Sequence, residues 1–395
     1  MENECEIVSS RGIMKSCDVH SRTPMSSIKQ CINLHLHSKY NKIIKTIYIN
    51  SSALPHFAAK VLPNIQEKII LVTGDCDETI PNDLHKFLDF NKFINDDRII
   101  KWFCQNWIGD HEKVEIMPIG LDYHTLANHN NHSWGPKTLP IQQEMIIKNI
   151  KNKSTPFTER IIKCYSNFHF FTTTRYGDDR KCAIKQIPDE LVYYEPEKIQ
   201  RINTWDNQSK YAFVVSPHGN GYDCHRTWEA LALGCIPIMK KSNISNLFDK
   251  LPVLIINDWS DITKELLDET IVKFKDEQFH FEKLKLSYWI ERIEEYRRIP
   301  KNDCVIGICI KNNAKYLPKV FEHLIALKKC FDKYKIIFVY DNNSTNTDDS
   351  IDMILEFMSS QSEIDAEMIY NDNEFDYNCV TFERRVVHIT NARNT

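Results

Sequence analysis

The sequence predicts an α/β protein built mainly on parallel sheets and divided into more than one domain. Short runs rich in β-branched and aromatic residues alternate with stretches of helical spacing along most of the chain, the pattern of strand-helix-strand units. Its 395 residues exceed the roughly 250 to 300 at which a single core stops growing, so two or three cores are expected. With 42% hydrophobic and 26% charged residues, and 10 Gly and 15 Pro, the composition is globular and leaves little room for low-complexity linkers.

Residues 1–29 show no sustained period and are expected to form a leader that docks loosely. Lys45–Ile49 and Lys68–Thr73 read as buried strands, each entering a polar turn, with helical spacing from Leu54 to Leu62 between them. Arg98–Trp107 is a further apolar block, and Lys113–Asp122 reads as a strand running into a glycine turn. Together these make a small Rossmann-like unit over 30–127. The polar stretch Ala127–Pro136, ending in Gly-Pro, marks a boundary. A second unit, 128–299, is expected from the runs Ile161–Phe168, Glu190–Tyr194, Ser209–Ser216 and Ile236–Met239, and from a strand just after Pro252. Its helices are placed near Asp179–Lys185, from about Arg226, and over about Glu277–Arg298, where Pro300 stops the last. A third unit, 300–395, has strands at Cys304–Ile310, Lys335–Tyr340 and Glu367–Tyr370, helices at Leu317–Tyr334 and Ser350–Met358, and a helical stretch at Arg384–Asn394.

A formal charge of −4 and an isoelectric point near 6.4 provide no basic field of the kind that nucleic-acid binding requires, so no such partner is expected. The 13 cysteines are odd in number and never spaced C-x-x-C, which argues against zinc knuckles and disulfide frameworks. Reduced thiols in a cytoplasmic protein are the expectation. The frequent Ile, Lys and Asn fit an A/T-rich coding sequence, as in protists, parasites and large DNA viruses; for a virus the compartment is the infected host cell. No apolar run approaches the roughly 18 to 20 residues of a membrane span, and the acidic start does not resemble a signal peptide.

The segment that carries chemistry is S-P-H-G-N-G-Y-D-C-H-R-T-W-E-A-L-A-L-G-C-I-P-I, from Ser216 to Ile238. Tyr211–Val215 is a buried strand, and the loop after it enters a helix at about Arg226. Gly219 and Gly221, with Asn220 between them, let the backbone turn sharply and bring amides close to a ligand, while the helix start offers unpaired N–H groups and a positive dipole end. Arg226 and Glu229 share a helix face in the first turn. A guanidinium forks onto phosphate oxygens, and a carboxylate accepts from ribose hydroxyls. On spacing alone the alternative is a surface ion pair beside an ordinary turn. Small residues at Ala230, Ala232 and Gly234 permit close helix-sheet packing, and Pro237 suits the start of a strand.

This segment resembles the donor-binding half of exostosin-type glycosyltransferases, a GT-B family with two facing Rossmann domains. The matching residues are Gly219, Gly221, Arg226, the pair Glu229 and Ala230, and Gly234–Ile238, and a weaker likeness runs from about Tyr48 to Trp259. The resemblance implies a GT-B-like pair of Rossmann-like domains that moves sugar from a UDP- or GDP-sugar to a glycan or glycoprotein without a metal ion. Ser216, Gly219, Asn220, Gly221, Arg226 and Glu229 would hold the donor. The first unit is short for a GT-B partner, which favours the alternative of a catalytically inactive nucleotide-sugar or glycan-binding module. A dinucleotide oxidoreductase is disfavoured because no G-x-G-x-x-G follows the first strand.

An inverting transfer needs a general base. Asp75 is the first choice and Asp77 the second, since both follow the strand Lys68–Thr73 and so lie at its carboxyl end, where α/β clefts place function. Partial burial would raise the pKa of Asp75 into a useful range. His124 is a further candidate, and a solvated acidic turn is the alternative.

In the third unit, a strand ending in Asp341 with Asn-Asn-Ser-Thr after it resembles the nucleoside pocket of GT-A glycosyltransferases, and an Asx turn is the alternative. Arg384–Asn394 resembles the Arg-rich helix of cap-associated mannosyltransferase-like members. The metal-binding D-x-D of that family lies beyond this helix, and Asp348 and Asp372 read as turns. The third unit is therefore expected to be a partial GT-A unit, holding Mn or Mg only if the missing remainder is supplied.

Overall fold

The computed structural model describes residues 2–21, 44–297, 304–310, 312–328, 334–341, 348–361 and 363–371. The chain forms two compact units, Met1–Arg297 and Arg298–Thr395.

In the first unit β1 (Lys45–Asn50), β2 (Ile69–Gly74), β3 (Ile99–Gln105) and β4 (Val114–Met117) lie side by side in that order, every neighbouring pair parallel. Strands covered on both faces read as continuous apolar runs, and every residue of β1 and β2 is buried. The helical spacing after β1 becomes one α-turn, Leu54–His56, a π-helical segment, Phe57–Val61, and a 3-10 turn, Leu62–Asn64. Pro63 has no N–H with which to continue a helical ladder. The polar boundary segment forms a small antiparallel hairpin of β5 (Asn131–His132) and β6 (Gly135–Pro136).

A second sheet of the same unit contains β7 (Ile161–Ser166), β8 (Val192–Tyr194), β9 (Tyr211–Val215), β10 (Ile236–Lys240) and β11 (Leu254–Ile256). Its spatial order is β8-β7-β9-β10-β11, parallel throughout. The chain leaves β7 for one edge and then crosses back to build the other side, so the winding reverses between β7 and β9. In open parallel sheets such a reversal opens a crevice at the carboxyl ends of the strands.

Residues 2–21 are not the loosely docked leader that the sequence suggests. Val8, Ile13 and Met14 are fully buried, in a core shared with Tyr48 of β1 and Val214 of β9. The backbone is bonded to the turn after β4, with the Ser10 N–H donating to the Ile119 carbonyl and the Leu121 N–H to the Val8 carbonyl, both at 2.8 Å. The helix here, Ser10–Ser16, is only 7 residues long, too short for hydrophobic periodicity to reveal it. A second difference concerns the helix expected from Glu277. It begins at Leu286, after a 3-10 turn at Phe281–Leu284, and a separate helix, Lys264–Lys275, precedes it with Thr263 as its cap.

The second unit holds β12 (Cys304–Ile310), β13 (Tyr334–Asp341) and β14 (Asp365–Asn371), parallel and in that order, with helices Leu317–Lys328 and Ser350–Ser360. Ile336, Phe338 and Ile354 are fully buried in its core. Asp348 accepts from the Ala314 and Ser350 N–H groups, the behaviour of a turn residue. Asp341 closes β13 opposite Asn371. Its side chain, Asp372, residues 342–347 and the stretch 384–394 lie outside the described residues. Among the described residues no cysteine forms a disulfide, and no helix is long and apolar enough to cross a membrane.

Candidate functional site

A cavity of about 400 Å³ opens at the carboxyl ends of both large sheets. Asn167 and Phe168 follow β7, Glu195 and Glu197 follow β8, and Gly219 to Gly221 and Asp223 to Arg226 follow β9; all line it. From the first sheet, Asp77 after β2 and Ile119 after β4 complete the wall. The cavity thus lies at the point between β7 and β9 where the winding reverses, the place where α/β sheets bind ligands.

The wall is cationic in one region. Arg180, on helix Gly177–Gln186, is 7% exposed, and Arg226, on helix His225–Ala232, is partly open to the cavity. Arg180 donates to the carbonyls of His218 at 3.0 Å and Phe171 at 2.6 Å. Arg226 donates to the Asn167 side-chain oxygen at 3.3 Å and the Pro217 carbonyl at 3.4 Å, and its guanidinium lies 5.8 Å from the centre of the Phe168 ring. Among the described residues, every hydrogen bond these two cations make is to a neutral oxygen. Burial lowers the pKa of both, that of Arg180 to about 10, with the neighbouring Arg226 charge adding to the effect.

The glycine loop serves close approach. The backbone turns sharply here, with the Gly219 N–H donating to the Gly221 carbonyl at 3.1 Å, and neither glycine needs a positive φ to do so. A Cβ on Gly219 would stand 2.8 Å from Arg180 Nη2, and one on Gly221 would stand 2.8 Å from Asn106 Nδ2 and 3.2 Å from the Asp77 carbonyl. Asn220 lines the cavity, and its side-chain oxygen accepts from the Arg175 N–H at 3.2 Å. The N-cap Cys224 makes no side-chain bond to the first turn of helix His225–Ala232, whose start lies on the cavity wall with Asp223 just before it.

Three predicted site residues make contacts other than those expected. Ser216 is buried away from the cavity, its hydroxyl 2.8 Å from that of Thr227, and so it fixes the loop to the helix. Glu229 reaches the cavity wall but does not bond Arg226. Its carboxylate is held by Arg201 Nη2 and by Trp205 Nε1, the latter at 3.1 Å, which makes it the anchor of a buried ion pair. Asp75 does not line the cavity. Its carboxylate accepts from Arg11 Nε at 3.1 Å, and a φ of 54° turns it away from the path of β2.

Asp77 does line the cavity, where its carboxylate stays open to solvent while the surrounding walls raise its pKa by desolvation. His124 lies behind the wall, paired with Asp122 at 3.0 Å. Sequence reasoning did not reach His225, Arg180, Arg201 or Asp223. His225 stands beside Arg226 in the motif and its type alone was a signal. Arg180 and Arg201 come from helices with no spacing relation to the motif. Asp223 accepts from the Ile119 N–H at 2.7 Å and from Trp228 Nε1 at 2.8 Å, so it ties the turn after β4 to helix His225–Ala232. Burial pushes its pKa up to about 7 against the pull of these donors. The two halves meet again where the Thr79 and Tyr176 hydroxyls lie 2.9 Å apart and where Arg175 pairs with Asp83. Neither a protein-family model nor a curated protein matches the chain.

Proposed function

We propose that this chain transfers a sugar from a UDP- or GDP-sugar to a hydroxyl of a glycan or glycoprotein, in the manner of GT-B glycosyltransferases. The observation that carries the reading is the pair of guanidiniums, Arg180 and Arg226, bonded to neutral oxygens at a cavity that also receives a helix start and a glycine loop. Neither cation is hydrogen-bonded to a carboxylate, each is near the other's charge, and a bound diphosphate would offset that repulsion with bidentate bonds. Gly219 and Gly221 admit the phosphates close to the backbone, and the helix start of His225 adds N–H groups and its dipole. As the bond from the anomeric carbon to the diphosphate breaks, negative charge grows on the leaving oxygen, and donors already in place stabilise it without reorganising. The acceptor hydroxyl would enter from the side of the first sheet, past Asp77. Glu229, through Arg201, supports this wall and does not grip the ribose.

The test is release of nucleoside diphosphate from a panel of UDP- and GDP-sugars, with water and glycans as acceptors. The reading expects release from at least one donor. Binding without any release would instead mark a nucleotide-sugar-binding module, and neither binding nor release would refute the donor site.

A further inference from the structure

Resting on that reading, we infer that His225 takes the proton from the acceptor hydroxyl, the part first assigned to Asp75. His225 lines the cavity next to Arg226, on the wall that Asp77 also reaches. Its Nδ1 lies 2.7 Å from the Gly120 carbonyl. A carbonyl can only accept, so Nδ1 carries the hydrogen, and in the neutral ring Nε2 presents a lone pair. The carbonyl is itself fixed. Gly120 has a φ of 64°, and the flanking bonds from Ser10 to Ile119 and from Leu121 to Val8 clamp the turn. The buried N-terminal segment thereby sets the direction of the imidazole.

The groups facing this ring are Asp77 from the loop after β2, and Asp122 and His124 from the segment after β4, with Cys224 and Arg226 beside it in the chain. The His124 ring stands edge-on at 6.1 Å and is itself paired with Asp122. Asp77 and Asp122 thus bring two carboxylates near the ring. Asp75, held by Arg11, does not line the cavity.

The acceptor O–H bond breaks and its proton moves to His225 Nε2. The oxygen lone pair forms the new bond to the anomeric carbon, on the face opposite the diphosphate. The bond from that carbon to the diphosphate breaks, and its electron pair leaves on the phosphate oxygen, towards Arg180 and Arg226. The anomeric configuration inverts, and the imidazolium later returns its proton to water.

His225→Asn keeps a side-chain N–H where Nδ1 bonds Gly120 but has no Nε2. Turnover, read as nucleoside diphosphate release at saturating donor, should fall by about 10²- to 10⁴-fold, the usual contribution of general-base catalysis. UDP or GDP affinity by calorimetry should be nearly unchanged, and the acidic limb of the pH–turnover profile should vanish. Asp77→Asn provides a second, independent arm. It should keep the limb, because Asp77 stands on the same wall but is not the group that takes the proton. A wild-type limb in His225→Asn, or a limb abolished in Asp77→Asn, would overturn the assignment while leaving the donor site standing. Failure of the wild type to release diphosphate from any donor would overturn both.

Discussion

Glu229 and Asp122 hold the second row of the cavity wall, and both are tied to Arg201. Its guanidinium bonds the Glu229 carboxylate on one side and the Asp122 carbonyl on the other, and lies 5.1 Å from the centre of the Trp134 ring. Asp122 accepts in turn from the Thr125 N–H at 2.9 Å and its hydroxyl at 2.7 Å. Burial works to raise the pKa of Asp122, but the bond to His124 and the charges of His225 and Arg201 outweigh it and hold the group well below the usual carboxylate range. A depressed folded-state pKa contributes stability that is fully present above the unfolded value of about 3.9 and is lost as pH falls through the folded one. Asp122→Asn should therefore be less stable than the wild type at pH 6, and the gap in urea midpoint should begin to narrow only as pH falls below about 3.9. A gap independent of pH would contradict this. At this scale Gly219, Gly221 and Arg226 were legible because the motif is contiguous and each type has one dominant chemistry. The role of Glu229 was not, because its partner Arg201 lies on another helix and only folding brings the two together.

Among the elements, the turn after β4 bears most on the site, since it presents the Gly120 carbonyl to His225 and the Ile119 N–H to Asp223. Its left-handed residue must be glycine for two reasons. The φ of 64° disfavours other side chains, and a Cβ there would overlap the Val8 carbonyl. Gly120→Ala should destabilise the unit by at least about 1 to 3 kcal/mol, the usual range for local backbone strain, as read from denaturant unfolding. An unchanged midpoint would show that the N-terminal segment does not clamp the turn. The parallel strands were readable because full burial leaves long apolar runs, as in β2 and β9. Helix Ser10–Ser16 was not, because its stability comes from packing and not from its own pattern.

On the scale of the whole molecule, residues 2–297 bring their own core, both large sheets and the whole cavity wall. Deleting residues 301–395 should accordingly leave the remaining protein folded and its diphosphate release intact. Loss of release in a folded, nucleotide-binding truncation would make the second unit part of the working site. The α/β class could be read from alternation along the chain, but the strand order could not. The same runs permit other orders, and it is the reversal between β7 and β9 that brings the loops carrying Asn167 and Gly219 to one cavity. The claim on which the functional reading depends is that Arg180 and Arg226 form a diphosphate site. Titration calorimetry of UDP and GDP against wild type, Arg180→Ala and Arg226→Ala measures it directly. Hydrogen bonds to charged groups are worth about 1.5 to 3 kcal/mol, so each variant should lose roughly ten- to a hundredfold in affinity for the nucleotide that the wild type binds. Equal affinities in the three folded proteins, or no binding of either nucleotide by the wild type, would contradict it.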